Sequence, residues 1–347
     1  MKRALFFLAL LGILTCGAFA QSDLQPVAIV RLTRSEPITV KQLRTEVQRA
    51  EQGSGRTLTL EDRRRVLDVM INERLALQAA EQEGIFVSDA EVTQQFQQLR
   101  SILAQNIGRP PTDAEFEQAV RNETGLDVPG FREQLKRQAT VQKYMLSKKR
   151  SIFESISPPT EVEIAEAYSL SRTDFIRPQT VRVSVIQVPG GATAAESARA
   201  RERAEQLLQE IGGNAGKFDE ALIRAQSPNS NYQGGDGGYI PRNLQAQQAL
   251  GADFVNSAFT LRQGEVSRII ESPRGYEIIK VTETYEQKNL ELTDIAQLGT
   301  NITVRDFIVN TMVQQRQNQA SERAQRELIT ELRQGNSFQI FENNLSF

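Results

Sequence analysis

Apolar residues near the start of the chain follow two patterns, one typical of strands and one typical of helices. Short apolar-rich runs at 27–32 and 38–40, separated by a turn, indicate two strands. From 66 to 79 the apolar residues recur every three or four positions and form one face of a helix. Gly84 marks the end of that helix.

Signals for helix starts continue through the residues that follow. Capping boxes, in which a serine or threonine precedes a glutamate by three positions, begin at Ser88 and Thr112. A further amphipathic helix follows Pro129 and ends in the cations at 148–150, which interact favourably with the carboxyl end of a helix. The pattern therefore predicts a mostly helical region over 27–150.

The middle of the chain has shorter elements, which predict a compact α/β unit. Alternating residues at 181–186 predict a strand, and the segment 194–211 predicts a helix. The glycine-rich segment 234–238 predicts a sharp turn. Runs at 266–270 and 276–281 predict a closing pair of strands.

The last part of the chain has a long polar helix and one more strand. The helix is predicted from about 303 to 334, and the apolar run 338–341 predicts the strand. We expect this strand to pair with an N-terminal strand, so that the C-terminal helix folds back. Two consecutive prolines, Pro158 and Pro159, mark the boundary between the helical region and the α/β unit.

The N-terminus has the pattern of an export signal. A short basic start precedes an apolar run at 4–14, and a small-x-small pattern follows at 18–20. The run is shorter than the ~20 residues that span a bilayer, so we expect no transmembrane segment in the mature chain. We expect 1–20 to be a signal peptide cleaved after Ala20, which implies a periplasmic protein. Cys16 keeps a lipid anchor open as an alternative.

The amino-acid composition excludes several kinds of catalytic and binding site. The 347 residues include 41 lysines and arginines against 43 aspartates and glutamates, so no basic field points to nucleic acid. Histidine is absent, which excludes Ser-His-Asp and Cys-His catalysis and removes the commonest zinc ligand. We therefore expect no metal site and no nucleic-acid partner.

Five segments of the middle region, taken in order, resemble a parvulin-type (PpiC, rotamase) peptidyl-prolyl isomerase domain. The segments are 181–186, 234–239, 254–259, 264–267 and 275–281. Each segment alone is weak evidence for the family. The resemblance is specific because all five segments occur in the family's order. With the export signal, the helical region before it and the returning helix after it, the whole chain is similar to the periplasmic chaperones of the SurA and PrsA kind.

The resemblance implies an α+β fold with two parts. A mostly helical chaperone domain would be formed by 21–157, with 286–347 packing back on it as a helix and a strand. A parvulin-like domain, in which helices wrap a small antiparallel sheet, would be inserted between them at 158–285.

The family has a shallow apolar pocket that holds the proline of a peptide. The resemblance places Leu250 and Phe254 in this pocket, and we expect Tyr239 and Ile278 to complete its lining. Ordinary core packing is the alternative for Phe254. Proline isomerisation needs no cofactor, because a catalyst has only to hold the twisted peptide in apolar surroundings with suitable hydrogen bonds.

Four positions depart from the family's pattern. The family places two histidines back to back on its central strands, and this chain has Val185 and Glu277 there. The position that is acidic or a thiol in the family falls near Ser227, and the large apolar residue of the glycine-rich segment is replaced by Gly237. We therefore assign no catalytic residue and expect weak or absent isomerase activity.

These observations favour an ATP-independent chaperone, or holdase, that binds unfolded exported or outer-membrane polypeptides. Two alternatives stay open. The first is an active peptidyl-prolyl cis-trans isomerase, the activity that domain resemblance alone would assign. The second is a lipid-anchored interaction protein that uses the same fold as a scaffold.

Overall fold

Two units make up the computed structural model, which describes residues 23–227, 229–272 and 274–347. Unit 1 comprises Met1–Ser157 and Arg316–Phe347, and unit 2 comprises Pro158–Gln315. The predicted signal peptide, including Cys16, lies outside the described residues. Among the residues that are described, no helix is long and apolar enough to cross a membrane.

Strands and helices follow one another along the described chain as the sequence pattern predicts in most places. The strands are β1 (Pro26–Val30), β2 (Glu36–Thr39), β3 (Ile176–Arg177), β4 (Thr180–Pro189), β5 (Gln233–Pro241), β6 (Ile270–Ser272), β7 (Gly275–Tyr285), β8 (Lys288–Asn289) and β9 (Phe338–Ile340). The α-helices are α1 (Val40–Ser54), α2 (Leu60–Gln82), α3 (Asp89–Ile107), α4 (Asp113–Thr124), α5 (Val128–Lys148), α6 (Arg150–Glu154), α7 (Glu161–Leu170), α8 (Ala194–Ile211), α9 (Ala215–Arg224), α10 (Leu244–Leu250), α11 (Ala252–Thr260) and α12 (Val304–Leu332).

Unit 1 has one small sheet, in which β1 lies between β2 and β9. Val30 of β1 pairs with Glu36 on one side and with Phe338 on the other, and both pairings are antiparallel. The predicted pairing of the C-terminal strand with an N-terminal strand is therefore confirmed. Residues of α1 and α2, among them Leu43 and Leu67, bury their side chains against this sheet.

The helix starts in unit 1 are fixed by local hydrogen bonds. The predicted capping boxes at Ser88 and Thr112 are both present. In each, the hydroxyl accepts a hydrogen bond from the backbone amide of the glutamate three residues later, and the side chain of that glutamate accepts one from the backbone amide of the capping residue. These reciprocal bonds satisfy amide groups that have no partner within the helix.

A buried glutamine fastens the turn between β1 and β2 to α2. The side-chain oxygen of Gln78 accepts hydrogen bonds from the backbone amides of Leu32 and Thr33, both at 3.1 Å. Its side-chain nitrogen donates to Glu36 Oε2 at 3.1 Å. Gln78 is fully buried, so no water can replace these partners.

The main sheet of unit 2 is antiparallel, with the strand order β5-β4-β7-β6. One side of it, the Phe254 face, carries an apolar cluster that includes Val183, Phe254 and Ile279. The other side, the Phe218 face, carries a second cluster that includes Phe218 and Ile278. The predicted small antiparallel sheet wrapped by helices is thus confirmed.

The glycine-rich segment 234–238 forms part of strand β5 and not the predicted turn. The ladder between β4 and β5 shifts register where Val183 pairs with Gly238 and the next residue, Ser184, pairs with Asp236. Gly237 is the extra residue of this β-bulge, and Gly238 has a φ of 76°. A Cβ at Gly237 would come within 2.8 Å of Val183 Cγ2, so the glycines serve close strand packing rather than chain reversal.

The predicted strand at 266–270 is also placed differently. Only Ile270 lies in β6, and Val266 makes an isolated bridge with Lys280. The hydroxyl of Ser267 accepts the hydrogen bond from the Ile279 amide at 2.9 Å, in place of a backbone carbonyl. This side-chain contact interrupts the regular ladder.

The segment 286–347, expected to pack as one piece on the N-terminal region, is divided between the units. Its first part lies in unit 2, where Leu290, Val304 and Ile308 form an apolar cluster with Ile164. Burial of these side chains holds the start of α12 in unit 2. The part from Arg316 onward lies in unit 1.

Replacement of Gln78 by leucine should destabilise unit 1. The Leu32 and Thr33 amides would lose their acceptor, and each unsatisfied donor costs roughly 1–3 kcal/mol when it is kept from water. Urea unfolding followed by circular dichroism should show a loss of about 2 kcal/mol or more in the free energy of unfolding.

The matched control is Gln98→Leu, because Gln98 is exposed on α3. This substitution should change the free energy of unfolding little. Equal stability of the Gln78→Leu variant and the control would contradict the role given to the buried amide.

Candidate peptide-binding site

The parvulin-like sheet sends neighbouring residues of each strand to opposite faces. On β4, Val183 belongs to the Phe254 face and Ile186 to the Phe218 face. On β7, Ile279 belongs to the Phe254 face and Ile278 to the Phe218 face. Adjacent residues of a regular strand separate in this way, so the face decides which candidate residues can meet.

Leu250 and Phe254 are brought together on the Phe254 face. Leu250 ends α10, and Gly251, with a φ of 93°, redirects the chain into α11, which carries Phe254. Phe254 is 2% exposed, and the half-buried Leu250 packs against the same cluster. The two residues therefore share one apolar cluster, and their role as the apolar floor of a peptide pocket stays a prediction.

Ile278 does not reach that floor. It is buried in the cluster of the Phe218 face, among residues of α8 and α9. Its role is core packing of the sheet against these two helices. Its neighbour Glu277 is the residue of this pair that faces Phe254.

Tyr239 is also separated from Leu250 and Phe254, and it belongs to a polar network. It lies opposite Arg182 in the ladder between β5 and β4. Its hydroxyl accepts from Arg182 Nη1 at 3.4 Å, and the Arg182 guanidinium lies 5.1 Å from the centre of its ring. Arg182 also pairs with Asp236 and Glu283, at 2.7 and 2.8 Å.

Charge pairing in this network shifts several pKa values. The hydrogen bond from Arg182 lowers the pKa of Asp236, and hydrogen bonds from Tyr285 and Arg182 lower the pKa of Glu283. The same carboxylate raises the pKa of Tyr285 to about 12. All of these groups keep their usual charge at neutral pH, so the network has no proton to exchange there.

Val185 and Gly237 fill the place where the family has a histidine and a large apolar residue. Val185 packs against the Phe254 cluster, and a Cβ at Gly237 would lie 3.5 Å from Val185 Cγ1. A larger residue at 237 would also collide with Val183. The two strands approach each other closely here, and Val185 packs among apolar side chains.

Glu277 brings a carboxylate into the interior of the sheet. Its side chain is 0% exposed, and neither of its carboxylate oxygens receives an aligned hydrogen bond from the residues that the structure describes. Burial raises the pKa of Glu277, and the nearby Ser272 and Arg274 offset only part of that effect.

Arg274 is the partner of this carboxylate, and sequence reasoning missed it. Its Nη2 lies 2.7 Å from Glu277 Oε1, and its guanidinium lies over the Phe254 ring at 5.7 Å from the centre. Arg274 precedes Glu277 by three residues in the turn before β7, and this spacing of opposite charges was the available signal.

Ser227 stands apart from this arrangement. It is exposed in the loop between α9 and β5, and its backbone bonds connect it to Arg224 and Ser230 within that loop. The site therefore consists of an apolar floor, Leu250 and Phe254, with the ion pair of Arg274 and Glu277 beside it. Apolar contact with a peptide is the chemistry that Leu250 and Phe254 offer.

Two family models match segments of this chain. Residues 184–283 match the family model of the PPIC-type PPIASE domain, and residues 3–145 match that of the SurA-like N-terminal domain. The chain therefore contains one segment similar to a parvulin-type domain and one similar to a SurA N-terminal domain. The resemblance predicted from the five segments is confirmed.

The relatives found by sequence are chaperones. The chain is 29% identical to the "Chaperone SurA" of Albidiferax ferrireducens, over 74% of this chain and 54% of that protein. It is 26% identical to the "Chaperone SurA" of Alkalilimnicola ehrlichii, over 83% of this chain and 65% of that protein. The chain thus spans about half to two thirds of the length of these curated relatives.

The chain also matches solved structures, at lower sequence identity. A SurA-like chaperone from Campylobacter jejuni is 16% identical, with 91% of this chain and 98% of that chain covered and a TM-score of 0.37. PrsA from Bacillus cereus is 18% identical, with 91% and 96% covered and a TM-score of 0.22.

Replacement of Glu277 by glutamine should stabilise unit 2 at neutral pH. The raised pKa means that the folded chain binds the carboxyl proton more readily than the unfolded chain does. The stability of the natural protein therefore falls as pH rises from the unfolded pKa of about 4.3 through the folded pKa, whereas glutamine does not titrate. The gain should be absent below that window and present above it.

Urea unfolding at a series of pH values measures this difference. Glu271→Gln is the control, because Glu271 is an exposed residue on the neighbouring strand. A Glu277→Gln variant that is less stable than the natural protein at pH 7 would show that the ion pair with Arg274 outweighs the burial of the charge.

Proposed function

We propose that this protein is an ATP-independent folding chaperone, a holdase, whose parvulin-like domain binds peptide without catalysing isomerisation. The observation that carries the proposal is the presence of Val185 on β4 and Glu277 on β7, the two positions at which the resemblance to parvulins implies histidines. One of these residues is apolar, and the other is a buried carboxylate held by Arg274. The SurA-like region in the same chain supports a chaperone role that does not need the reaction.

Unit 1 offers a surface that suits an unfolded chain. A groove of about 500 Å³ is lined by residues of α5 and α6, namely Lys143, Leu146, Ser147, Arg150, Phe153 and Glu154. Leu146 is 43% exposed, and Phe153 is half-buried. Apolar side chains between charged ones can bind many apolar segments weakly, which is the requirement for a holdase.

The clients that fit this surface are unfolded exported polypeptides, including outer-membrane proteins. The relatives named as SurA chaperones support this assignment, and so does the leader pattern before Gln21. We assign the mature protein to the periplasm, with cleavage after Ala20 and not a lipid anchor at Cys16.

A second candidate function is prolyl isomerisation, which the match to the PPIC-type domain favours. The site opposes it, because neither Val185 nor the buried Glu277 can replace the family's pair of imidazoles. The Leu250 and Phe254 floor serves peptide binding in either case.

Replacement of Leu146 by glutamine should weaken the holdase. The full mature chain should suppress light scattering by an outer-membrane protein diluted from urea, when the chain is present at a several-fold molar excess. The variant should need about fivefold more protein for the same suppression, because a large apolar side chain contributes roughly 1 kcal/mol to apolar contact.

Val69→Gln is the matched control, since Val69 is 65% exposed on α2 and does not line the groove. It should suppress scattering as the natural chain does. If the natural chain fails to suppress scattering at that excess, the proposed function is wrong; if both variants match the natural chain, the groove is not the client surface.

The export assignment is tested by mass spectrometry of the mature N-terminus. We expect a chain that begins at Gln21, because the small-x-small pattern ends at Ala20. A diacylated Cys16 would instead support the lipid-anchored alternative.

A further inference from the structure

The backbone of Arg274 is held firmly at the start of β7. Its carbonyl oxygen accepts from Gln187 Nε2 at 3.0 Å and from the Gly190 amide at 3.4 Å. Its amide donates to the Ser272 hydroxyl at 3.1 Å. The turn is therefore tied both to itself and to the end of β4.

The next residue makes this turn possible. Gly275 has a φ of 126°, a conformation that side chains disfavour, and a Cβ there would lie 2.3 Å from the Val188 carbonyl oxygen. Only glycine allows the start of β7 to approach β4 this closely. The close approach fixes where the Arg274 side chain leaves the backbone.

The side chain of Arg274 covers the apolar floor. The guanidinium lies over the Phe254 ring and beside Glu277, yet the side chain is 43% exposed, whereas Phe254 is 2% exposed. Arg274 is thus a partly solvated group on top of a buried aromatic ring. The stacking of a cation on a ring and the ion pair with Glu277 hold it there.

We propose that Arg274 is a built-in occupant of the peptide pocket, so that a peptide enters only when this side chain is displaced. The inference rests on the proposed function, since it concerns how the parvulin-like domain of the chaperone binds peptide. Only the exposed side chain has to move, because the backbone of the turn is anchored. The Arg274 side chain closes the pocket by covering the apolar floor.

The same contact predicts which peptides the pocket prefers. When Arg274 leaves, the buried Glu277 carboxylate has lost its partner, and an uncompensated buried charge is unfavourable. A peptide that carries its own arginine or lysine next to a proline or another apolar residue restores the ion pair. The structure therefore assigns to this pocket basic-apolar segments of unfolded chains.

The test measures binding of two dansyl-labelled hexapeptides to the full mature chain by fluorescence anisotropy. One peptide carries Arg-Pro at its centre and the other Gln-Pro. The Arg274→Ala variant should bind the Arg-Pro peptide about tenfold more tightly than the natural chain, because the fraction of open pockets limits the apparent affinity. Its gain for the Gln-Pro peptide should be smaller.

Two further variants complete the experiment. Arg268→Ala is the matched control, because Arg268 is an exposed arginine of the same unit, on the segment before β6. It should bind both peptides as the natural chain does. Glu277→Gln keeps the volume of the buried side chain and should abolish the preference for Arg-Pro over Gln-Pro.

Equal affinities of Arg274→Ala, Arg268→Ala and the natural chain would overturn the inference, and so would an unchanged preference in Glu277→Gln. Circular dichroism confirms that each variant is folded before binding is measured. Suppression of client scattering by the natural chain is measured separately, so failure of the pocket inference is distinguished from failure of the proposed function.

Discussion

The antiparallel pairing of β9 with β1 is the interaction on which the organisation of this chain depends. It joins Phe338 to Val30, so the C-terminal segment completes a sheet that begins near the N-terminus. Backbone amides of β1 then have partners on both sides, and the apolar side chains of α1 and α2 have a surface to cover. The whole of 158–315 is thereby placed as an insertion within one unit, and it can form a core of its own.

That independent core allows the parvulin-type domain to keep its fold while its site changes. The sheet is held by apolar clusters on both faces, so the fold does not require histidines at the positions where the resemblance implies them. Val185 extends one of these clusters, and Glu277 places a charge where burial is unfavourable. The ion pair with Arg274 compensates in part and at the same time covers Phe254.

Much of this could be predicted from the sequence, and the misses have physical causes. The helix at 194–211 and the capping boxes follow from local patterns that act within a few residues. The strand at 234–238 was not predicted, because a glycine-rich sequence is typical of a turn and also allows two strands to approach closely. Ile278 was assigned to the pocket although its neighbour Glu277 faces that side, and strand alternation places only one of them there. Arg274 could not be placed over Phe254, since that contact joins a turn and a helix that are far apart in sequence.

The central claim is that this chain holds unfolded polypeptides without accelerating prolyl isomerisation. The most direct measurement follows the refolding of an unfolded client whose slow phase is limited by a prolyl bond, with increasing amounts of the full mature chain. The account predicts that aggregation falls while the rate constant of the slow phase stays at its uncatalysed value, and that Phe254→Ala leaves this rate constant unchanged. A slow phase that accelerates in proportion to the amount of chain, and loses that acceleration in Phe254→Ala, would contradict the account.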